Sequence, residues 1–137
     1  MNQPLTVNCS FHFNRQSHGR KHVRSGPAPL PVQTGRIPRI SRLMALAIKF
    51  DGLVRRGEVL DYAELARLGH VTRARMTQVM NLILLAPDIQ EQLLFLPRTE
   101  RGQDPFHLRQ LQHITQVPDW RKQHRLWKEL QRVVDHR

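Results

Sequence analysis

An all-α helical domain behind a basic, unstructured N-terminal arm is the architecture this 137-residue sequence predicts. Three observations carry it. From Ile40 onward, apolar residues recur at helical rather than alternating spacing. Capping residues, glycines and prolines fall where such helices must begin and end. No two alternating segments stand out as partners in a sheet.

The elements follow in order. Residues 1–35 mix Arg, His, Gly, Ser and Pro without a period, and "GPAPLP" (Gly26–Pro31) favours an extended linker because proline fixes φ and disfavours helix before it. Val7, Cys9, Phe11 and Phe13 alternate, but a lone strand has no partner to pair with. Residues 36–97 read as a helical domain. Ile40, Leu43, Met44, Ala47, Ile48 and Val54 mark a first helix over roughly 41–56, capped by Ser41 and stopped by Gly57. Asp61 with Glu64 three residues on is a capping box for a short second helix ending at Gly69. Thr72 caps a third helix running to about Leu85, so that the two form a helix-turn-helix unit. Pro87, Asp88 and Glu91 open a fourth helix, which buries Ile89, Leu93, Leu94 and Leu96 and ends at Pro97. Residues 98–137 form a helical extension. Its fifth helix spans Pro105–Ile114 and buries Phe106, Leu108, Leu111 and Ile114. Its sixth starts at Pro118, with Trp120, Trp127 and Val134 recurring every seven residues and basic residues on the other faces.

Charge narrows the function. The chain has 22 Lys+Arg against 11 Asp+Glu, a net +11. The natural partner of such a chain is a polyanion, with nucleic acid ahead of an anionic membrane surface. The excess lies at the ends: Arg15, Arg20, Lys21, Arg24, Arg36 and Arg39 stand in the first 41 residues without one acid, while residues 42–96 are nearly neutral. One cysteine excludes an internal disulfide framework and points to a reducing cytoplasm, with the protein associated with the nucleoid. No apolar run is long enough to span a bilayer, and the first residues lack the order of a secretory signal, so no membrane role is expected.

The third helix divides its labour. Met76, Val79, Met80 and Ile83 make a stripe for packing. Thr72, Arg73, Thr77, Gln78 and Asn81 fall on the opposite side, and Arg75 lies between. Arg can fork onto guanine, Gln or Asn onto adenine, and Thr can bond phosphate or touch a thymine methyl. Arg73, Gln78 and Asn81 are therefore expected at bases, and Thr72, Thr77 and Arg75 at the backbone. Polar residues on a helix are usually only a solvated face. Here the capped short helix, the glycine turn and the basic chain together favour reading of double-stranded DNA. The basic arm would add backbone contacts through Arg15, Arg20, Lys21, Arg24, Arg36 and Arg39.

The stretch "ELARLGHVTRARMTQVMNLILLAPDIQEQL" also resembles the DNA-binding helix-turn-helix of the plasmid and chromosome partition proteins of the ParB/KorB group. The matching positions are Leu65, Ala66, Gly69, Thr72, Arg73, Met76, Val79, Leu82, Leu85, Pro87, Ile89 and Gln90, and the resemblance covers about residues 41–96. It departs at the turn, where the glycine comes one residue early and His70 takes its usual place. The nucleotide-binding domain of those proteins, with its Arg-rich phosphate motif, has no counterpart in the 35 residues ahead of the domain. The resemblance thus implies DNA binding but not a CTP-dependent clamp. The wider pattern, from "RIPRISRLMALAIKFDGL" to "DWRKQHRLW", is similar to proteins and tails that accompany bacterial site-specific serine recombinases on mobile elements. That similarity implies an accessory role beside a recombinase.

Other chemistry finds little footing. Cys9, His12, His18 and His22 match no common zinc spacing, so neither metal nor cofactor is expected. The acids are scattered, Tyr62 is the only tyrosine, and "GRKHVRSG" is not a phosphate loop, so no catalytic set emerges and the chain is not expected to be an enzyme. Trp120 and Trp127 suit packing on the domain, a homodimer seam, or a membrane-surface helix. Two rival functions remain open: a protein-interaction adaptor for a recombinase or other DNA-processing partner, and a basic RNA-binding protein.

Overall fold

The computed structural model describes residues 3–15, 21–31 and 34–137. It divides into two compact units, Met1–Gln33 and Thr34–Arg137.

The first unit holds an antiparallel hairpin of β1 (Phe11–Arg15) and β2 (Lys21–Ser25), with Phe11 opposite Ser25 and Phe13 opposite Val23. This corrects the expectation that a strand through Phe11 and Phe13 has no partner. The alternation through Phe11 and Phe13 is legible, but β2 reads Lys-His-Val-Arg-Ser, and its single apolar residue gives no alternating signal. Phe11, Phe13 and Val23 stay exposed, with the two Phe rings edge to face at 6.0 Å. His12 Nδ1 donates to the Gly26 carbonyl at 3.2 Å, across the end of the pair.

The second unit is helical. Its elements are α1 (Arg39–Arg55), α2 (Tyr62–Leu68), α3 (Arg73–Met80), a 3-10 turn (Asn81–Leu84), α4 (Pro87–Leu94), α5 (Leu108–Thr115) and α6 (Trp120–Asp135). An isolated two-residue bridge ties Arg36 to Thr99 through backbone bonds of 3.0 Å in each direction. Every helix read from the sequence is present, but boundaries move, α6 starting at Trp120 rather than Pro118 among them. α1 begins at Arg39 with Pro38 as its cap, and Ser41 is not a cap at all. Its buried hydroxyl donates to the Leu93 carbonyl at 2.6 Å, which fastens α1 to the end of α4. α5 starts three residues later than expected, because His107 and Gln110 form a capping box there. The third helix tightens into the 3-10 turn after Met80, since Leu85 and Ala86 must turn extended ahead of Pro87.

One core joins all six helices. Ile40, Met44 and Ala47 from α1 meet Leu65 and Ala66 from α2, Met76, Val79 and Met80 from α3, and Ile89 and Leu93 from α4. Phe106, Leu108, Leu111, Ile114 and Trp127 complete it, so the helices of the C-terminal extension share the core with α1–α4. Ile48, expected on the buried face of α1, is exposed. On α6 the inward stripe is buried Gln123 and Trp127 followed by partly buried Leu130 and Val134, at steps of four, three and four. Trp127 is 2% exposed and Trp120 53%, so only one of the two tryptophans packs on the domain. Trp127 stacks at a tilt on Phe106 at 4.7 Å and donates its indole N–H to Gln92 at 2.7 Å.

Gln123 is the buried polar residue that the sequence does not announce. Its amide donates to the carbonyls of Leu84 at 3.0 Å and Val117 at 2.8 Å, and its oxygen accepts from the Ala86 N–H at 2.8 Å. One side chain thus satisfies the backbone where the 3-10 turn hands over to α4.

Candidate nucleic-acid interface

The geometry of the α2–α3 pair begins with how α2 ends. The Val71 N–H returns to the Ala66 carbonyl at 3.0 Å and the His70 N–H to Arg67 at 3.3 Å. This is a Schellman ending, in which the residue between those two bonds must take a left-handed conformation. That residue is His70, at φ +53°, and it is the only positive-φ non-glycine among the described residues. Gly69 sits at φ −85°. It is small for a different reason: a Cβ there would lie 3.3 Å from the Leu65 carbonyl oxygen. α1 ends with the same pair of bonds, Glu58 to Leu53 and Gly57 to Val54, but places Gly57 at φ +73°.

Both caps predicted for the pair are formed. Asp61 accepts from the Glu64 N–H at 2.9 Å, while the Glu64 carboxylate reaches back to the Leu60 N–H at 2.8 Å. Thr72 Oγ1 accepts from the Arg75 N–H at 3.1 Å and fixes the start of α3.

α3 then presents two faces. Met76, Val79 and Met80 are buried, and Thr72, Arg73, Ala74, Thr77 and Gln78 are exposed. No acid stands in its first turn. Arg73 and Thr77 also border an open groove of about 490 Å³ with Val54, Leu60, Asp61, Tyr62 and Ala63.

Asn81 does not sit where the sequence suggests. It is half-buried, and its amide donates to Gln112 of α5 at 3.3 Å. Gln112 in turn donates to the Gln78 carbonyl at 2.8 Å, pinning the end of α3 to α5. The reason is tertiary: α5 packs along this edge through Gln112 and covers Asn81, a neighbour that the helical period of α3 does not announce.

Arg75 is half-buried and leaves the exposed face. It lines a cleft of about 210 Å³ together with Arg39, Asp104, Phe106, His107 and Arg109. Arg109 and His107 belong to α5 and to the loop before it, and carry no sequence signal linking them to α3. Of the expected backbone contacts, Arg39 lies in this cleft, and Arg36 is exposed with its guanidinium donating to the Gly102 carbonyl at 3.1 Å. Lys21 and Arg24 are exposed on the hairpin of the other unit. Arg20 and the side chain of Arg15 lie outside the described residues.

A second surface of the helical unit is apolar. Ile83, exposed Leu84, Val117, Pro118 and exposed Trp120 line a groove of about 510 Å³. Next to it, His124 of α6 bonds Asp88 through Nε2 and the Trp120 carbonyl through Nδ1. Burial alone would raise the Asp88 carboxyl, but the hydrogen bond and charge of His124, with the backbone N–H groups of Asp88 and Ile89, outweigh it and hold the group below its ordinary value.

Cys9 is exposed, and no cluster of three or more His, Cys, Asp or Glu residues suited to a metal occurs among the described residues. His18 and the side chain of His22 lie outside those residues. No described helix is long and apolar enough to cross a membrane. Neither family models, curated proteins nor solved structures match the chain.

Proposed function

We propose that α2 and α3 form a helix-turn-helix that reads double-stranded DNA, with α3 as the element that enters the major groove. One observation carries the reading. The first two turns of α3 leave Thr72, Arg73, Thr77 and Gln78 exposed, with no acid in the first turn, while Met76, Val79 and Met80 hold the helix to the core. A major-groove helix needs this division: side chains able to fork onto bases on one side, rigid support on the other. The small side chain of Ala74, between them, lets the helix axis come close to the duplex. The charge of +11 and the ParB/KorB resemblance of residues 41–96 point the same way.

In this reading Arg73 and Gln78 contact bases and Thr72 and Thr77 the backbone. Asn81 contributes by fixing the end of α3 through Gln112 rather than by touching a base. The arm and linker bases, Arg15, Arg20, Lys21, Arg24 and Arg36, supply backbone contacts that raise affinity without selecting sequence. An accessory role beside a recombinase on a mobile element, and pairing of two copies on two half-sites, extend the proposal.

Binding isotherms at two salt concentrations, on duplex DNA and on structured RNA, test it. Preference for duplex with a steep fall in affinity as salt rises is the expected result. A shallow slope with no preferred nucleic acid would favour the adaptor reading, for which the exposed Leu84 and Trp120 surface offers a place to dock. Preference for RNA would replace the proposal outright.

A further inference from the structure

We propose that the cleft between the starts of α1, α3 and α5 is a phosphate-binding site, and that its occupant is a backbone phosphate of the duplex that α3 reads. The inference rests on the DNA reading above and adds to it a specific clamp, with Arg109 as a member that sequence reasoning does not find.

Three arginines from positions far apart in the chain line the cleft: Arg39, Arg75 and Arg109. One carboxylate shares it, that of Asp104, and one of its oxygens accepts from the Arg39 backbone N–H at 3.2 Å. None of the three arginines forms an ion pair within 4.0 Å among the described residues. Three cations against one anion in a recess leave a net positive charge, and like charges held together raise the energy of the empty site. An anion relieves that repulsion.

The helix ends themselves are not the ligands. At each end one capping group already takes an N–H: Asp104 that of Arg39, Thr72 that of Arg75, and the His107–Gln110 box those of His107 and Gln110. What remains free is the guanidinium fork, the group that matches phosphate geometry through paired N–H donors. The size fits as well. A volume of about 210 Å³ holds one phosphate group with its water but falls short of the ~300 Å³ at which pockets for drug-sized ligands begin.

Location selects the source of the phosphate. Gln78 lies one turn on from Arg75, so an occupant of the cleft lies along the Gln78 edge of α3, while Arg73 falls on the far side of the helix. Contacts of this kind set a protein's register on the duplex. A fixed phosphate here would decide how deeply α3 sits in the groove.

The test uses the full-length chain and two probes, inorganic phosphate and duplex DNA, with Arg109→Gln, Arg75→Gln and, on α6, Arg132→Gln as a charge-matched control. Thermal melts first establish that each variant is folded, and Arg109→Met, which keeps the length of the side chain without its charge, serves if Arg109→Gln is not. Arginine Nε–H signals are followed by NMR as each probe is added. Expected are saturable shifts of Arg75 and Arg109 with phosphate, lost in Arg109→Gln. On duplex, Arg109→Gln should weaken binding about tenfold on all sequences alike and reduce the salt slope by about one, as loss of one phosphate contact requires. Arg132→Gln should change affinity less than about threefold. If folded Arg109→Gln and Arg75→Gln keep both the affinity and the salt slope of the parent, the clamp is wrong while the DNA reading stands. If the parent chain binds no duplex, the DNA reading fails and the proposed occupant with it. Inorganic phosphate then decides the cleft alone: saturable shifts keep it as an anion site, and their absence removes it.

Discussion

His70 does at the end of α2 what Gly57 does at the end of α1, but with a Cβ attached. A left-handed non-glycine costs about 1–2 kcal/mol, partly offset here because a glycine would be freer in the unfolded chain. His70→Gly should therefore raise stability by about 0.5–1 kcal/mol in urea denaturation, and His70→Val, β-branched, should lower it by about 1–2 kcal/mol. The departure from the commonest turn pattern is thus legible in the sequence, and the backbone keeps the left-handed position where the glycine usually stands, with His70 occupying it. Asp88 makes a second residue-scale prediction. Its folded carboxyl is held below its ordinary value, so the unfolded chain takes up the proton first as pH falls. Its contribution is full above the ordinary carboxylate range near pH 4 and is lost as the pH drops through the folded value. Because the group is half-exposed, that contribution is well under ~1 kcal/mol. Melting curves of Asp88→Asn should fall slightly short of the parent's at pH 6 and converge with it as acid protonates the folded carboxyl.

At the scale of elements, helices were legible wherever a cap and a 3.6-residue apolar stripe coincided, as at Asp61, Thr72 and Pro87. The errors fall where a side chain serves a distant partner. Ser41 reads as a cap because hydroxyls before apolar runs usually are, yet it bonds Leu93, 52 residues away. Asn81 reads as outward because the period of α3 alone does not show that Gln112 of α5 lies against it. Gln123 reads as one more polar residue of a basic helix, and its burial depends on three backbone groups that no local pattern reveals. Gln123→Leu would leave the Ala86 N–H and the Leu84 and Val117 carbonyls without that partner, at a cost of about 2–4 kcal/mol in denaturant unfolding. A loss under ~0.5 kcal/mol would mean that water or a small shift replaces the side chain. Since the same contact holds the handover from the 3-10 turn to α4, the variant should also weaken DNA binding less at low temperature, where the fold persists, than near its melting point.

For the whole molecule, the two units set separate expectations. Thr34–Arg137 contains the entire helical core, whereas the hairpin of the first unit is a two-stranded pair of the kind that is marginal alone. Removing residues 1–33 should leave the melting transition of the helical unit within about 2 °C and lower the salt slope of DNA binding, because Arg15, Arg20, Lys21 and Arg24 go with the arm. Loss of the cooperative transition would show that the first unit supports the core. The all-α character of the second unit was readable from one sequence because each helix carries its own local signals. The hairpin was not, because its second strand has almost no apolar content. The cleft of Arg39, Arg75 and Arg109 was only half-readable: the first two stand out as candidate phosphate contacts, but their meeting with α5 is a property of the packed core. The central claim is that the exposed face of α3 reads duplex sequence, and selection of bound sites from random duplex DNA, run on the parent and on Gln78→Ala, tests it most directly. The account predicts a defined motif for the parent, palindromic if two copies pair, and the same motif with one or two positions relaxed for the variant. No enriched motif for the parent, or an unchanged motif with uniformly weaker binding for Gln78→Ala, would contradict it.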